Sequence, residues 1–160
     1  MYCLADMRRS RTITCWTICA IKCARREQIR IATDGDADRF GIVDGDGTFL
    51  RPNYVIAKLF DYLIERRGWK NGMAKSVATT DLINAIAKGR GVKLYEAPVV
   101  FKYIGELIMP DKIAIGGEES AGLSIRHYVG EKDGVLAGAS VLRDGGEEGE
   151  AAGRAIKGAM

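Results

Sequence analysis

Three aspartates at alternate positions constrain this chain more than any other feature. Asp34, Asp36 and Asp38 lie between two short apolar runs, residues 29–33 and 40–43. The runs predict strands, and in an extended backbone the side chains of residues two apart point the same way. The three carboxylates are therefore expected to converge, and their mutual repulsion favours a bound cation. A hard divalent cation, which prefers oxygen ligands, is the predicted occupant.

Arg39 directly follows the aspartates and offers a planar guanidinium suited to phosphate. A metal beside an arginine is typical of sites that handle phosphoryl groups. An EF-hand is excluded, because a count from Asp34 places Arg39 and Gly45 where that motif needs Gly and Glu. Three alternatives stay open: a solvated acidic turn, a phosphatase with Asp34 as its nucleophile, and a non-catalytic module that binds a metal or a phosphosugar.

Charge and cysteine are concentrated at the start of the chain. The first 30 of the 160 residues carry seven Lys or Arg and two acids, whereas the other 130 carry 17 basic and 19 acidic residues. The body of the chain is therefore not expected to bind nucleic acid. All four cysteines, Cys3, Cys15, Cys19 and Cys23, lie in the same stretch without C-x2-C zinc spacing. No apolar run is long enough to span a membrane, and we expect a cytoplasmic protein.

Strand and helix patterns alternate through the rest of the chain, which predicts an α/β fold: a mixed, partly parallel sheet with helices on its faces, plus an N-terminal β-hairpin that carries the aspartates. Four parts are expected: an atypical segment 1–28, the hairpin 29–45, an α/β domain 46–142 and a loose or poorly helical Gly/Glu-rich tail 143–160. The predicted strands are 29–33, 40–43, 48–50, 75–78, 92–96, 112–115 and 123–125, and the predicted helices are 52–67, 82–88, 101–109 and 133–142.

A second candidate site lies in the glycine-rich stretch 116–122, which follows a predicted strand. Ligands of α/β folds bind at such carboxyl ends. Glu118 and Ser120 are two residues apart and can both face the hydroxyls of a sugar. Ser120 does not fit the nucleophile-elbow pattern, because that pattern is displaced by one position here. A tight turn with exposed acids is an equally good reading of this stretch.

Four motifs together resemble the α-D-phosphohexomutases, the phosphoglucomutase/phosphomannomutase family. They are TDGDADR at 33–39, EAPVVFKYI at 96–104, GEESAG at 117–122 and EKDG at 131–134. The resemblance runs from about residue 31 to 142 and implies the end of the second and the whole of the third of four domains. It implies a reaction that moves phosphate between O1 and O6 of a hexose, with these site residues: Asp34, Asp36 and Asp38 as Mg2+ ligands, Arg39 facing a phosphoserine, Lys102 reaching the substrate, and Glu118 and Ser120 binding sugar hydroxyls.

The departures from the family pattern carry expectations of their own. Neither a phosphoserine loop of Thr-x-Ser-His-Asn-Pro type nor a phosphate loop of Arg-x-Ser-Gly-Thr-Glu-Pro type occurs in the 160 residues. We therefore expect a truncated or rearranged copy that is inactive by itself. Val100 replaces a usual glycine and is expected to tighten its loop, and Gly122 replaces the histidine of mannose-active members. The hairpin is expected to pair with the chain's own second sheet or with a second copy, which would give a homo-oligomer.

Overall fold

The computed structural model describes residues 29–45 and 47–147. Expectations about the basic, cysteine-bearing segment 1–28 and about residues 148–160 lie outside this part of the chain. The described elements are the strands β1 (Arg30–Thr33), β2 (Phe40–Val43), β3 (Phe49–Leu50), β4 (Gly72–Ser76), β5 (Leu94–Ala97), β6 (Ile113–Gly117) and β7 (Leu123–Ile125), and the helices α1 (Pro52–Arg67), α2 (Leu82–Arg90), α3 (Phe101–Ile108) and α4 (Gly134–Glu147).

The first three strands form a small antiparallel sheet in the order β1-β2-β3. β1 and β2 pair from Arg30 with Val43 to Thr33 with Phe40. Residues 34–39, the aspartate loop, connect the two strands. β3 pairs with the other edge of β2, so the expected hairpin has a third strand from its own chain. Helix α4 packs on β1 and β2.

The second sheet has the order β5-β4-β6-β7, in which β4 is parallel to both β5 and β6, and β7 is antiparallel. The predicted α/β fold with a mixed sheet and an N-terminal hairpin is confirmed. Since β4, β5 and β6 run the same way, their carboxyl ends share one edge of the sheet. The Glu118 stretch begins at this edge, directly after β6.

Two cores form on the two faces of the second sheet because neighbouring residues of a strand point in opposite directions. Met73 of β4 enters the larger core, whereas its neighbour Ala74 enters the smaller one with Phe101 and Ile104 of α3. The larger core also contains residues from both sheets and from α1, α2 and α4: Phe40, Ile42, Leu50, Val55, Ile56, Phe60, Ile83, Ile115, Leu123, Ala137 and Val141.

Helix α1 follows its predicted bounds. Pro52 fits the first turn, Gly68 ends the helix at φ 61°, and its N–H donates to the Ile64 carbonyl at 3.0 Å. Apolar residues at helical spacing form one stripe of the helix and face the core: Val55, Ile56, Leu59, Phe60 and Leu63 are buried, and Ile64 is partly buried. An apolar stripe of this length needs a covering layer, which is why the pattern predicts the bounds of α1 correctly.

Other bounds shift by a few residues. β4 begins at Gly72 instead of 75, and its residues 72–76 are all buried although glycine, lysine and serine give no apolar alternation. α2 runs past Gly89 and stops at Gly91, which has φ 66°. α4 extends to Glu147, beyond the predicted end at 142 and into the expected tail.

Within the described ranges, no helix combines the length and the apolar character that crossing a membrane requires.

Candidate metal and sugar site

The aspartate loop is a tight turn between β1 and β2. The Ala37 N–H donates to the Asp34 carbonyl at 3.2 Å, and Ala37 has a positive φ of 58°. One carboxylate oxygen from each of Asp34, Asp36 and Asp38 lies within 4.8 Å of the other two. The structure therefore brings the three predicted side chains together, with Asp36 exposed and the other two partly buried.

Arg39 contacts two of these aspartates, Asp34 and Asp38. Its backbone N–H donates to Asp34 Oδ1 at 3.1 Å, and its Nε lies 3.9 Å from Asp34 Oδ2 and 3.6 Å from Asp38 Oδ1. Its side chain is nevertheless 48% exposed. Part of the guanidinium therefore faces solvent, where it can meet an anion.

Lys132 completes the cluster, and the sequence reasoning did not assign it a role. Its Nζ lies 2.5 Å from Asp38 Oδ2. The signal was present, since Lys132 belongs to the EKDG motif at 131–134. A lysine far along the chain from Asp38 gives no local pattern that would place it in the metal loop.

Burial and charge act differently on the two partly buried aspartates. Burial, followed by repulsion from Asp38 and Asp36, raises the pKa of Asp34. Burial also acts to raise the pKa of Asp38, but the hydrogen bond and charge of Lys132 outweigh it, and the pKa of Asp38 is lowered. The ammonium group of Lys132 thus stabilises the charged form of Asp38.

Backbone contacts dock the aspartate loop against the second sheet. Arg39 forms an isolated antiparallel bridge with Gly122, and the Phe40 N–H donates to the Ala121 carbonyl at 3.3 Å. At the start of α4, the Gly134 N–H donates to the Ala37 carbonyl at 2.8 Å. A Cβ on Gly134 would collide with the Arg39 carbonyl, so this close approach needs glycine.

The Glu118 loop turns between β6 and β7 and lies beside the aspartate loop. The Glu118 N–H donates to the Gly122 carbonyl at 2.9 Å, and the Ser120 Oγ donates to Glu118 Oε2 at 3.4 Å. Glu118 is 5% exposed, and its Oε1 has no hydrogen-bond partner in the described part of the chain. Burial, and to a lesser extent Glu119, raises the pKa of Glu118, although the charge of Lys132 opposes them.

A second polar layer supports this loop from behind. The Ser76 Oγ donates to Glu119 Oε2 at 2.5 Å and lies 2.8 Å from the Thr79 Oγ1. Beside it, the buried Lys75 places its Nζ 3.2 Å from the Thr79 carbonyl, and also 3.2 Å from carboxylate oxygens of Asp81 and Glu96. Sequence reasoning missed this layer, because its members come from β4, β5, the loop before α2 and the Glu118 loop.

Lys102 is placed differently from the other predicted site residues. It lies in the first turn of α3, on the opposite face of the sheet from α1, with 75% of its side chain exposed and its Nζ 3.9 Å from Glu106. The structure pairs it with Glu106 rather than with the aspartates. Val100, just before α3, has an extended backbone (φ 169°) and is exposed, so its replacement of glycine introduces no backbone strain.

Comparison with known proteins places this arrangement in a family. Residues 51–158 match the family model for the phosphoglucomutase/phosphomannomutase α/β/α domain III. The chain belongs to the phosphoglucomutase/phosphomannomutase family. This match begins after the aspartate loop and extends beyond residue 142, where the motif resemblance ends.

Individual relatives agree with the family model. The chain is 38% identical over 118 residues to a phosphoglucomutase of Komagataeibacter xylinus, covering 69% of this chain and 21% of that protein. It is 36% identical over 123 residues to phosphoglucomutase 2 of Saccharomyces cerevisiae, covering 73% and 21%. The chain thus spans about a fifth of the length of these relatives.

Two solved structures show the same fold. A Thermus thermophilus protein assigned as a phosphomannomutase superposes with a TM-score of 0.81 at 30% identity, over 91% of this chain and 34% of that one. Parafusin, a phosphoglucomutase from Paramecium, superposes with a TM-score of 0.62 at 30% identity, over 87% of this chain and 22% of that one.

Proposed function

We propose that this chain forms the metal- and sugar-binding part of a phosphohexomutase, which takes a divalent cation, Mg2+ by the resemblance, and a hexose phosphate. One observation carries the proposal: the three converging carboxylates of the aspartate loop are joined to the Glu118 loop by the bridge between Arg39 and Gly122. Family membership supports the same conclusion.

The residues of the loop fit a hard divalent cation. All three side chains offer carboxylate oxygens, which is the donor type that Mg2+ prefers. Asp38 Oδ1 is buried and accepts no hydrogen bond from the described residues, so it has a lone pair free for a cation. The Lys132 ammonium at Asp38 Oδ2 shows that this position already attracts positive charge.

The neighbouring residues support sugar binding. The unpartnered Glu118 Oε1 is suited to accept a hydrogen bond from a sugar hydroxyl, and Ser120 can donate or accept one. The half-exposed guanidinium of Arg39 is suited to a phosphoryl oxygen. A bound divalent cation would supply charge stabilisation for that group. We assign Lys102 to the phosphosugar on the resemblance alone.

The 160 residues by themselves are proposed to bind without turnover. Phosphoryl transfer needs a group that carries the phosphoryl, and the 160 residues contain no loop of the phosphoserine type. The conversion of glucose 1-phosphate would then require that loop from elsewhere.

Calorimetry and a coupled assay test these two statements separately. Titration of Mg2+ or Mn2+ is expected to show one site that Asp36→Asn weakens at least tenfold, because Asp36 contributes one of three charges. Turnover of glucose 1-phosphate, with Mg2+ and glucose 1,6-bisphosphate, is expected to match an Asp36→Ala control. No measurable binding would refute the metal proposal, and turnover above the control would refute inactivity.

A further inference from the structure

Lys132 pairs with Asp38, a carboxylate that a bound metal would also use. Its Nζ lies 2.5 Å from Asp38 Oδ2, although Asp38 is one of the three carboxylates that converge in the aspartate loop. A lysine ammonium and a divalent cation need the same charge from the same group. The aspartate loop therefore has an internal cation supplied by a distant part of the chain.

The stem of Lys132 packs against the Glu118 loop, while its head group pairs with Asp38 in the aspartate loop. The stem of Lys132 fills the space beside Gly122, where the Cβ of any larger residue would lie only 2.5 Å from the lysine Cδ and 3.0 Å from its Cγ. The charge of Lys132 also acts on Glu118, whose buried Oε1 has no hydrogen-bond partner among the described residues. Lys132 thus stands between the metal-type cluster and the sugar-type loop.

We propose that Lys132 is an internal counterion that a divalent cation displaces from Asp38. The displacement has two consequences. The lysine lowers the metal affinity of the loop, since it offsets the charge of Asp38 through Oδ2 while a cation at Oδ1 would draw on the same charge. On metal binding, its head group leaves Asp38 and becomes available to the side on which Glu118 lies. This inference rests on the proposed metal site.

The charge balance of the cluster supports displacement over coexistence. Asp34, Asp36 and Asp38 supply three negative charges, and Arg39 already lies within 3.9 Å of two of them. With Lys132 in place, two positive charges offset the three negative ones before any ion enters. Within the loop, a divalent cation bound in addition would bring this count to one net positive charge. The repulsion would act most on Lys132, because its Nζ lies 2.5 Å from an Asp38 oxygen whereas the Arg39 Nε lies 3.6 Å from one.

Lys132→Met tests the affinity, because methionine keeps much of the stem and removes the charge. Mn2+ binding by calorimetry is expected to be about fivefold tighter in this variant, the effect of removing a partly exposed ion pair. Lys112→Met is the matched control, since Lys112 precedes β6 at the opposite edge of the sheet. Its affinity should equal that of the wild type.

Labelling of lysine amines tests the movement directly. The acetylation rate of Lys132, measured by mass spectrometry, is expected to rise severalfold when Mg2+ is added, while that of Lys112 stays unchanged. Unchanged labelling of Lys132, or weaker Mn2+ binding by Lys132→Met, overturns this inference even if the wild type binds metal. If the wild type binds no Mn2+ at millimolar concentration, the proposed metal site itself fails.

Discussion

Single residues in this site trade stability for binding. Glu118 is buried with one oxygen unpartnered, a costly arrangement for a carboxylate unless a ligand completes it. Burial raises the pKa of Glu118, so its ionised form destabilises the fold. The cost is absent at low pH, where the carboxyl is protonated, and appears as the pH rises above the ordinary glutamate pKa.

Glu118→Gln is therefore expected to stabilise the protein at pH 8 by about 0.5–1 kcal/mol. It also weakens the acceptor for a sugar hydroxyl, because a neutral amide oxygen replaces the carboxylate. At pH 4 the difference should shrink, because both side chains are then neutral. Urea denaturation at the two pH values measures this. The exposed Glu106→Gln serves as the control and is expected to change little at either pH. A Gln variant that is less stable at pH 8 would contradict the argument.

The start of α4 holds the aspartate loop in place through a close backbone contact between Gly134 and Ala37. A Cβ at Gly134 would collide with the backbone carbonyl of Arg39. Gly134→Ala is expected to cost about 1–3 kcal/mol and to weaken Mn2+ binding, because the aspartate loop must shift away from the helix.

Gly89→Ala is the matched control for that substitution. Gly89 lies inside α2, and a Cβ there would contact no atom within 4 Å. It is expected to stabilise the protein by about 0.5–1 kcal/mol, as alanine does in a helix interior. Thermal denaturation compares the two variants. Equal effects of both would show that the contact between Gly134 and Arg39 does not position the loop.

The layer behind the Glu118 loop makes a separate prediction. Ser76→Ala removes the hydroxyl that joins Glu119 to Thr79, and hydrogen exchange of amides 119–122 is expected to become faster. Ser140→Ala loses only a local hydrogen bond to the Leu136 carbonyl within α4, so it should leave these amides unchanged. Exchange in 119–122 that is equal in wild type and Ser76→Ala would show that this layer does not support the loop.

The sequence predicted those elements whose pattern is local. Apolar residues at helical spacing, with Pro52 at one end and Gly68 at the other, predicted the bounds of α1. The alternate spacing of the aspartates predicted that their side chains converge. The predicted start of β4 at residue 75 was wrong, because Gly72 has no side chain that could extend an apolar pattern. Lys132 and Ser76 were missed since their partners, Asp38 and Glu119, lie far away in the sequence and only the fold brings them together.

At the scale of the whole molecule, one core joins the two sheets. Phe40 from the first sheet packs in the same cluster as Ile115 and Leu123 from the second, with α1 between them. The third strand of the small sheet comes from the same chain, whereas a second copy at its edge stays a prediction for light scattering. The described part of the molecule should therefore unfold as one unit.

Phe40→Ala tests this unity, with an expected loss of about 3 kcal/mol. Trp69 lies under Arg126 beside the amino-terminal ends of β4 and β6. In a Trp16→Phe background, which removes the other tryptophan, its fluorescence should report the same lower midpoint as far-ultraviolet circular dichroism. The exposed Val77→Ala should leave both midpoints unchanged. If Phe40→Ala left the midpoint of the Trp69 transition unchanged, the two sheets would unfold independently.

Mn2+ broadens the amide signals of residues near its site in the nuclear magnetic resonance spectrum, so the pattern of broadening tests whether the aspartate loop binds a metal beside the Glu118 loop. Substoichiometric Mn2+ is expected to broaden residues 34–39, 118–122 and 132–134 together, and to spare residues 69–72 and 112 at the opposite edge of the sheet. Loss of this pattern in Asp36→Asn would complete the result. Broadening that is absent at millimolar Mn2+, or that is centred away from the aspartate loop, would contradict the claim.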